Sequence, residues 1–341
     1  MKKIAVVILN YNGRSYLEKF LPTVLKYSQE ATIYVADNCS TDDSVTYLKN
    51  NFPNIELIIN QENGGFAKGY NDALAHVQAD YYVLLNSDIE VTEGWIAPCI
   101  DILEKDTDIV AVQPKVLAFK SKGKFEHAGA AGGFLDRDYY PFCQGRIFRN
   151  TEEDKGQYNE YREIFWATGA ALFIRSEKYH EVGGLDEDFF AHMEEIDLCW
   201  RLKARGNKIF YCSKSTIYHV GGGTLDYQNP KKTYLNFRNS LYMLTKNYDG
   251  LLLPKLFKRL MMDGLAAALF IVKFQFSHFV AVFKAHMSFY AKLGTFLKKR
   301  KLEKSSPRKK ITTGRYKKSI VFGSFLFGKK SFQDLSDSDF L

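Results

Sequence analysis

Apolar runs that alternate with segments of helical spacing occupy the first 85 residues and constrain the fold more than any other feature. The apolar runs are residues 4–9, 32–36, 55–59 and 81–85. Residues 15–27 carry apolar side chains at intervals of three and four, which predicts a helix between the first two runs. Strands that alternate with helices form βαβ units. We therefore predict an α/β fold with a mainly parallel sheet flanked by helices.

The first apolar run, Ile4 to Leu9, is rich in β-branched residues and does not alternate with polar ones. This composition is typical of a strand that is covered on both faces. The run is too short for a secretory signal. Five cysteines without C-x-x-C spacing argue against a disulfide framework or a zinc site. We expect a reducing, cytoplasmic setting.

The distribution of charge divides the chain near residue 250. Residues 1–250 carry 28 Lys and Arg against 34 Asp and Glu, whereas residues 251–330 carry 19 against 2. Residues 331–341 carry no basic residue and 3 acidic ones. This division predicts an acidic globular region over 1–250, a basic region over 251–330 and a flexible acidic tail over 331–341.

Polar residues follow each of the four predicted strands. They are Asn10 to Asn12, Asp37 to Asp42, Asn60 to Asn71, and Asn86 to Asp88. The carboxyl ends of parallel strands meet at one edge of a sheet, where open α/β folds bind ligands. The four clusters therefore predict one binding cleft. For any single cluster an alternative remains, because Asn, Asp and Ser are also common in turns and at helix caps.

Several classes of ligand are disfavoured. Asp37 ends the second strand, where a dinucleotide-binding unit has its ribose-binding acid, but no G-x-G-x-x-G turn follows the first strand. A Walker-type phosphate loop is absent as well. The basic region 251–330 has no accompanying RNA- or DNA-binding motif, so we expect no nucleic-acid partner.

Five segments, in this order and spacing, resemble the motif series of family 2 inverting glycosyltransferases with the GT-A fold. They are Val7 to Asn12, Val35 to Ser40, Glu62 to Asn71, Leu84 to Asp88, and Met193 to Arg201. The nearest resemblance is to the bacterial rhamnosyltransferase-like branch, and it covers roughly residues 1–245. It implies a nucleotide-sugar-binding half over 1–113 and an acceptor-binding half over 114–250.

The resemblance implies transfer of a sugar, with rhamnose as one candidate, from a dTDP- or UDP-linked donor to a lipid-linked or nascent cell-surface saccharide. It places a divalent cation, Mg²⁺ or Mn²⁺, on Asp88 and His219. A cation held there would neutralise the leaving diphosphate. A histidine at a strand end, taken alone, is more often a surface or capping residue.

Further residues are implied by their positions in the motifs. Asp37 would accept a hydrogen bond from the ring N–H of a uracil or thymine. The other donor-binding residues would be Asn10, Asn12, Asn63, Gly64, Gly65 and Asn86. The paired glycines can bring backbone N–H groups close to a ligand at a helix start, or can form a plain turn.

The general base that inversion requires is assigned to one of two adjacent acids. The family's usual Glu-Asp pair appears here as Glu194 and Glu195, and the second position implies Glu195 as the base. Acids at a helix start also favour the helix dipole without further function. Trp166 and Gly169 would line the acceptor side, although Trp166 also suits a core.

The basic region is interpreted separately. A helical wheel over 259–288 gathers the polar residues Arg259, Asp263 and Lys273 on one side and apolar residues on much of the rest. Lys273 interrupts the longest apolar stretch, so we expect an interfacial helix rather than a spanning one. Its partner would be an anionic membrane surface, at the inner face of a bacterial membrane. A helical pair packed on the catalytic region is the alternative.

Two other functions stay open at this point. A sugar-nucleotide-binding protein without transfer activity would bind the donor and form no product. A nucleotidyltransferase would need a glycine- and arginine-rich first loop, which Asn10-Tyr11-Asn12-Gly13 does not supply.

Overall fold

A computed structural model describes residues 2–221 and 229–341. The amino-terminal part contains β1 (Ile4–Asn10), α1 (Arg14–Tyr27), β2 (Thr32–Asp37), α2 (Ser44–Asn51), β3 (Glu56–Ile59), α3 (Gly65–Leu74), β4 (Tyr81–Asn86), β5 (Ile89–Val91), α4 (Ala97–Lys105) and β6 (Ile109–Ala118). The middle part contains β7 (Ser121–Phe125), β8 (Gly133–Leu135), β9 (Pro141–Cys143), β10 (Arg146–Ile147), β11 (Asn150–Thr151), β12 (Arg162–Glu163), β13 (Ala171–Arg175), α5 (Ser176–Glu181), α6 (Glu194–Ala204) and β14 (Lys208–His219). The carboxyl-terminal part contains α7 (Pro230–Asn247), α8 (Leu252–Val272), α9 (Phe276–Ser305) and α10 (Ile320–Phe327).

The main sheet has ten strands within the described residues, and its order is β12-β14-β6-β13-β4-β1-β2-β3, with β5 on β14 and β7 on β6. Strands β3, β2, β1 and β4 are all parallel, as the alternating pattern predicts. The register of β1 and β2 places Asn10 opposite Asp37. All four predicted polar clusters therefore follow strand ends that lie side by side. A second, antiparallel sheet has the order β11-β10-β9-β8.

Strand β1 is covered on both faces, which confirms the interpretation of its composition. Ala5 and Val7 belong to one apolar cluster, together with Tyr70 of α3. Val6 and Ile8 belong to the cluster on the opposite face. Side chains alternate across a strand, so a strand with apolar residues at every position needs a layer of helices on each side.

The helical prediction for 259–288 is wrong in one respect, because the structure has two helices there and not one. Helix α8 ends at Val272 and α9 begins at Phe276. Phe274, at the break, has a φ of 56°, a left-handed value that ends an α-helix. The two helices form a hairpin, and α9 packs along α7. Tyr242 and Phe296 stack there with ring centroids 3.9 Å apart.

Part of the polar face that the helical wheel predicts is buried inside the protein. Arg259 and Asp263 are buried, and their Nε and Oδ1 atoms lie 3.1 Å apart. Arg259 also donates to Ser240 Oγ at 2.7 Å and lies over the ring of Tyr140. These two residues anchor α8 to the rest of the protein and do not face solvent.

The carboxyl-terminal segment returns to the smaller sheet. Tyr316 N donates to Leu135 O at 2.8 Å, and Leu135 N donates to Gly314 O at 3.2 Å. Residues 331–341, expected to be flexible, form two 3₁₀ turns, and the Phe332 side chain is buried. The difference arises because Phe332 joins an aromatic cluster whose other members include Phe134, Phe142, Tyr158, Tyr316 and Phe340. Burial of these rings holds the segment in place despite its acidic charge.

Candidate active site

Asp88 and His219 lie side by side because β5 pairs antiparallel with β14. The register sets His219 opposite Ile89, and Val220 N donates to Asp88 O at 3.1 Å. His219 Nε2 is 3.2 Å from Asp88 Oδ1, and both side chains are nearly buried. The structure therefore brings together the two residues predicted to hold a metal. The glycines that follow, from Gly222 on, lie outside the described residues.

Glu126 is a third member of this cluster that sequence reasoning missed. It follows β7, and its Oε2 lies 3.1 Å from Nδ1 of His219. Its own backbone N–H donates to Val116 O, and Ala128 N donates to its carboxylate. A single acid after a short edge strand carries no motif, so only the pairing of β6 with β7 reveals its position.

The electrostatics of the cluster are strongly coupled. Burial acts to lower the pKa of His219, but the charges of Asp88 and Glu126 and their hydrogen bonds outweigh it and raise that pKa to about 10. Burial acts to raise the pKa of Glu126, yet the imidazolium holds that pKa at about 2. Without a metal, the histidine therefore stays protonated between two carboxylates.

The cluster fits a divalent cation. Glu126 is hydrogen-bonded to Nδ1 of His219, so the other ring nitrogen, Nε2, faces the carboxylate of Asp88. A histidine whose second nitrogen is held by a carboxylate is the common arrangement around protein-bound metals. Among the described residues, no three His, Cys, Asp or Glu side chains are placed to hold one ion together, so Glu126 is not counted as a ligand. Two protein ligands suit Mg²⁺ or Mn²⁺, which complete their shells with water and substrate phosphates.

The acid pair lies at the start of α6, beside the end of β4. A methyl group added to Gly169 would lie 3.7 Å from Cβ of Glu195. The next residue, Ala170, accepts from Asn86 N at 3.0 Å through its carbonyl. Antiparallel pairing of β13 with β4 therefore places Glu195 on the same edge of the sheet as Asp88.

Both acids are held in surroundings that favour the neutral form. Glu194 is buried and Glu195 is partly exposed, and Oε2 of each is buried with no hydrogen-bond partner among residues 2–221 and 229–341. Desolvation by burial raises the pKa of both carboxyls, and the charge of Glu195 adds to the effect on Glu194. A raised pKa and a free oxygen are the properties of a general base that works near neutral pH.

Asp197 and Arg201 form the supporting ion pair expected from their spacing. Arg201 Nε lies 2.9 Å from Asp197 Oδ2, and both side chains are buried. Arg201 also donates to the carbonyls of Val182 and Gly184 at 2.6 and 2.7 Å. The pair fixes α6 against the preceding loop and leaves the two glutamates free of it.

The predicted donor-binding residues at the ends of β1 and β2 bond to one another. Asn10 Nδ2 donates to Asp37 Oδ2 at 3.0 Å and to Ser40 Oγ at 3.2 Å. Asn12 Oδ1 accepts from Thr41 N at 2.7 Å. Asn10 and Asp37 are buried, whereas Asn12 is exposed. The two amides therefore join the loops after β1 and β2, which is why the strand ends in asparagines.

The glycine pair at the start of α3 has few free amides to offer a ligand. Gly65 N donates to Asn63 Oδ1 at 3.0 Å, while Phe66 N and Ala67 N both donate to Phe190 O, at 2.6 and 3.3 Å. Gly65 has a φ of 81°, and a Cβ there would lie 2.5 Å from Phe190 O. Glycine is needed here so that this carbonyl can approach.

Trp166 lies in the core, one of the two alternatives considered for it. Its side chain is 4% exposed, and Nε1 donates to Phe134 O at 3.1 Å. The indole packs directly on Gly133, where any Cβ would overlap it. Little of its face is free for stacking on a sugar.

Comparison with known proteins places these features in a family. Residues 5–183 match the family described as Glycosyl transferase family 2. An N-acetylglucosaminyl-diphospho-decaprenol L-rhamnosyltransferase of Mycobacterium tuberculosis (strain ATCC 25618 / H37Rv) is 24% identical over 239 residues, which are 65% of this chain and 77% of the relative. Rhamnosyltransferase WbbL of Escherichia coli K12 is 23% identical, over 61% of this chain and 80% of the relative.

Solved structures share the fold at lower identity. GalNAc-T7, crystallised with UDP, GalNAc and Mn²⁺, has a TM-score of 0.57 at 16% identity over 73% of this chain and 48% of its own, so the chain spans about half the length of that protein. A mannosyltransferase of Pyrobaculum calidifontis, in complex with GDP-Man and Mn²⁺, has a TM-score of 0.52 at 13% identity over 85% of this chain and 87% of its own. The predicted GT-A-like fold is confirmed. Since the family match spans more than half of the chain, the protein belongs to glycosyl transferase family 2 and is a glycosyltransferase.

Proposed function

We propose that this glycosyltransferase moves a sugar, with inversion, from a uridine or thymidine diphosphate sugar to a lipid-linked or nascent cell-surface saccharide. The observation that carries the proposal is the placement of two groups at one edge of the sheet. One is the Asp88–His219–Glu126 cluster and the other is the acid pair at the start of α6. A phosphate-neutralising site and a general base are the two things that inverting transfer requires.

A divalent cation, Mg²⁺ or Mn²⁺, would be held by Asp88 and His219, with Glu126 orienting the imidazole. When bound, it supplies positive charge to the departing diphosphate. Mn²⁺ is present in the structures of GalNAc-T7 and the mannosyltransferase, which supports this assignment. The buried carboxylate of Glu126 keeps the ring nitrogen that faces Asp88 available to the metal.

Glu195 would remove the proton from the attacking acceptor hydroxyl. It is the more accessible of the two acids, its Oε2 has no hydrogen-bond partner among the described residues, and its Cβ lies near Gly169, on the proposed acceptor side. Burial raises its pKa, so it holds a proton more strongly than an ordinary carboxylate and is a better base. Glu194, more deeply buried, would stay protonated, because burial and the charge of Glu195 both raise its pKa.

The donor nucleotide would lie over the ends of β1, β2 and β4. Asp37 is proposed to accept from the base N–H, and Asn12 and Asn86 to line the nucleotide. The rhamnosyltransferase relatives support a deoxyhexose, and the decaprenol-linked substrate in the name of one of them supports a lipid-linked acceptor.

A screen of sugar nucleotides tests this function. We expect uridine and thymidine diphosphate sugars to raise the melting temperature in the presence of Mn²⁺, and one of them to be hydrolysed slowly without acceptor. Guanosine diphosphate mannose is the matched control, since a guanine has two rings and is larger than the uracil or thymine proposed to lie against Asp37. Binding that is accompanied neither by hydrolysis nor by transfer to any saccharide or lipid-linked saccharide tried would instead indicate a binding protein.

An anionic membrane surface is the proposed partner of the helical region. Large apolar side chains that are exposed in the described residues lie almost entirely within 251–327; the exceptions are Tyr11, Ile59, Phe148, Tyr161 and Leu341. On α9 they recur at intervals of three and four, as Phe276, Val280, Phe283, Met287 and Tyr290, and Leu297 follows two turns later. On α8 they recur at every fourth position, as Leu253, Phe257, Met261, Leu265 and Leu269.

Charge on the same hairpin favours anionic lipid. Lys273, Lys284 and Lys298 have no ion pair among the described residues, and Lys273 and Lys284 stand exposed beside the apolar stripe. The acids of this region, Asp263 and Glu303, are both paired with arginines. Each cation contributes roughly 1 kcal/mol near an anionic surface. Among the described helices, none is long and apolar enough to cross a bilayer.

Replacing Phe276 and Phe283 together by Ser is expected to weaken binding to vesicles that contain phosphatidylglycerol, by roughly 10-fold for each ring, because burial of a phenylalanine contributes about 1.5–3 kcal/mol. Both rings are more than half exposed, so the melting temperature should change little. Sedimentation with vesicles at low and high salt measures the effect.

Tyr161→Ser is the matched control, because Tyr161 is equally exposed but lies outside the hairpin. Wild-type protein that ignores anionic vesicles at low salt would contradict the membrane assignment. Loss of a dimer in the double variant, with unchanged vesicle binding, would show that the stripe covers a second copy of the chain.

A further inference from the structure

The loop directly before the acid pair is strained. Phe190, His192 and Met193 have φ values of 65°, 70° and 72°, all in the left-handed region that side chains disfavour. Met193 immediately precedes α6. Its backbone conformation therefore sets the direction of the first turn and of the two glutamates in that turn. Strain of this kind persists only where neighbouring groups hold it in place.

One side chain makes three hydrogen bonds to this loop and to the residue before it. Asn239 of α7 is fully buried, and its Nδ2 donates to the carbonyls of Phe189, Ala191 and His192 at 2.9, 2.8 and 2.7 Å. One side-chain amide therefore binds three backbone carbonyls within a stretch of four consecutive residues. Its neighbour Arg238 donates to Asn239 Oδ1 at 2.8 Å, which fixes the orientation of that amide.

The same loop is bonded to the donor side of the cleft. Phe190 O accepts from Phe66 N and Ala67 N in the first turn of α3, and only a glycine at position 65 leaves room for it. The ring of Phe66 also lies against Gly169, beside Glu195. The loop therefore sets the separation between the start of α3 and the acid pair.

We propose that Asn239 is a positioning residue for catalysis, which holds the loop Phe190–Met193 so that Glu195 faces the acceptor hydroxyl next to the bound donor. This inference rests on the proposed role of Glu195 as the base. Asn239 touches neither donor nor acceptor, and its effect on the reaction passes through the loop. Displacement of a catalytic group by about 1 Å is enough to cost roughly 100-fold in rate.

Replacing Asn239 by Ala tests the proposal. We expect kcat for the sugar nucleotide turned over by the wild type to fall roughly 10- to 100-fold. The Kd for UDP or dTDP with Mn²⁺ should stay unchanged, because the nucleotide contacts come from β1, β2 and β4. In a Glu195→Gln background, Asn239→Ala should add little further loss, since a displaced base matters only while it can take a proton.

Asn247→Ala is the matched control. Asn247 lies on the same helix, is equally buried, and donates to Asp197 Oδ1 and Met243 O at 2.6 and 3.1 Å. Its loss should lower the melting temperature by a similar amount and leave kcat near that of the wild type. Should Asn239→Ala not fold, Asn239→Ser retains one donor and is measured in its place.

Two results would overturn the inference. One is a kcat for Asn239→Ala equal to that of Asn247→Ala, and the other is full additivity with Glu195→Gln. The proposed function fails separately, if Glu195→Gln itself retains wild-type turnover. An inactive Glu195→Gln with an unaffected Asn239→Ala would reject only the positioning role.

Discussion

Replacing Glu195 by Gln is expected to lower the rate of transfer by roughly 10²–10⁴-fold, the usual cost of losing a general base. The amide keeps the size of the side chain but cannot take the proton of the acceptor hydroxyl. Donor affinity should stay near the wild-type value, because Glu195 lies next to Gly169, on the side proposed for the acceptor. Steady-state kinetics, with a separate binding measurement for UDP or dTDP, separates the two effects.

The pH profile adds a second measurement of the same residue. Burial raises the pKa of Glu195, and a base works only when deprotonated, so wild-type activity should fall as the pH drops. The fall should begin well above pH 4.5, the ordinary pKa of a glutamate. The acidic limb should disappear from any residual activity of Glu195→Gln.

Glu194→Gln is the matched control for this prediction. Its carboxyl is more deeply buried, and the same burial favours its neutral form, so the amide should be tolerated with a smaller loss. If Glu194→Gln shows the large loss and Glu195→Gln does not, the base is the first acid of the pair.

Replacing Asp88 by Asn should abolish stimulation by Mg²⁺ or Mn²⁺ and lower kcat/KM by roughly 100-fold or more, because a bound cation supplies several kcal/mol to the developing charge. The fold should survive, since an amide can still accept a hydrogen bond from His219. Titration of Mn²⁺ in the presence of UDP, followed by calorimetry, measures the loss directly.

Glu126→Gln tests the same metal assignment, with a smaller expected effect. The amide introduced there would still reach Nδ1 of His219, which lies 3.1 Å from the carboxylate of Glu126, but it would carry no charge. Loss of such an outer carboxylate typically costs roughly 10- to 100-fold in metal affinity. Wild-type activity that chelators do not diminish, or full activity in Asp88→Asn, would contradict the metal assignment.

Much of the fold follows from local patterns in the sequence. The apolar runs predict β1 to β4 to within one or two residues, since a strand buried on both faces needs apolar side chains at every position. The polar residues after each run then meet at one edge of the sheet because the strands are parallel. This reasoning placed Asp37 and Asp88 at that edge, whereas the roles proposed for them came from the family resemblance.

Contacts between distant segments were not identifiable in this way. Glu126 meets His219 only through the pairing of β6 with both β7 and β14. In the sequence Asn239 looks like an ordinary polar residue of a helix. In the structure its side chain is fully buried against the loop that precedes Glu194 and Glu195. Neither position belongs to a periodic pattern or a motif.

The carboxyl-terminal region shows the same limit. The sequence correctly indicates helices with exposed apolar and basic side chains, because periodicity and charge are local properties. It does not indicate the break at Phe274, the burial of Arg259, or the return of Phe332 to the smaller sheet.

The family and the secondary structure of the first 86 residues follow from the sequence, as does the edge of the sheet at which the proposed site lies. These depend on spacings of two to four residues and on short motifs. The side chain that bonds to His219, the contacts of the acid pair and the position of the last residues are visible only in the folded protein. Those outcomes depend on which surfaces bury one another across more than ninety residues of chain, and burial is a property of the whole fold.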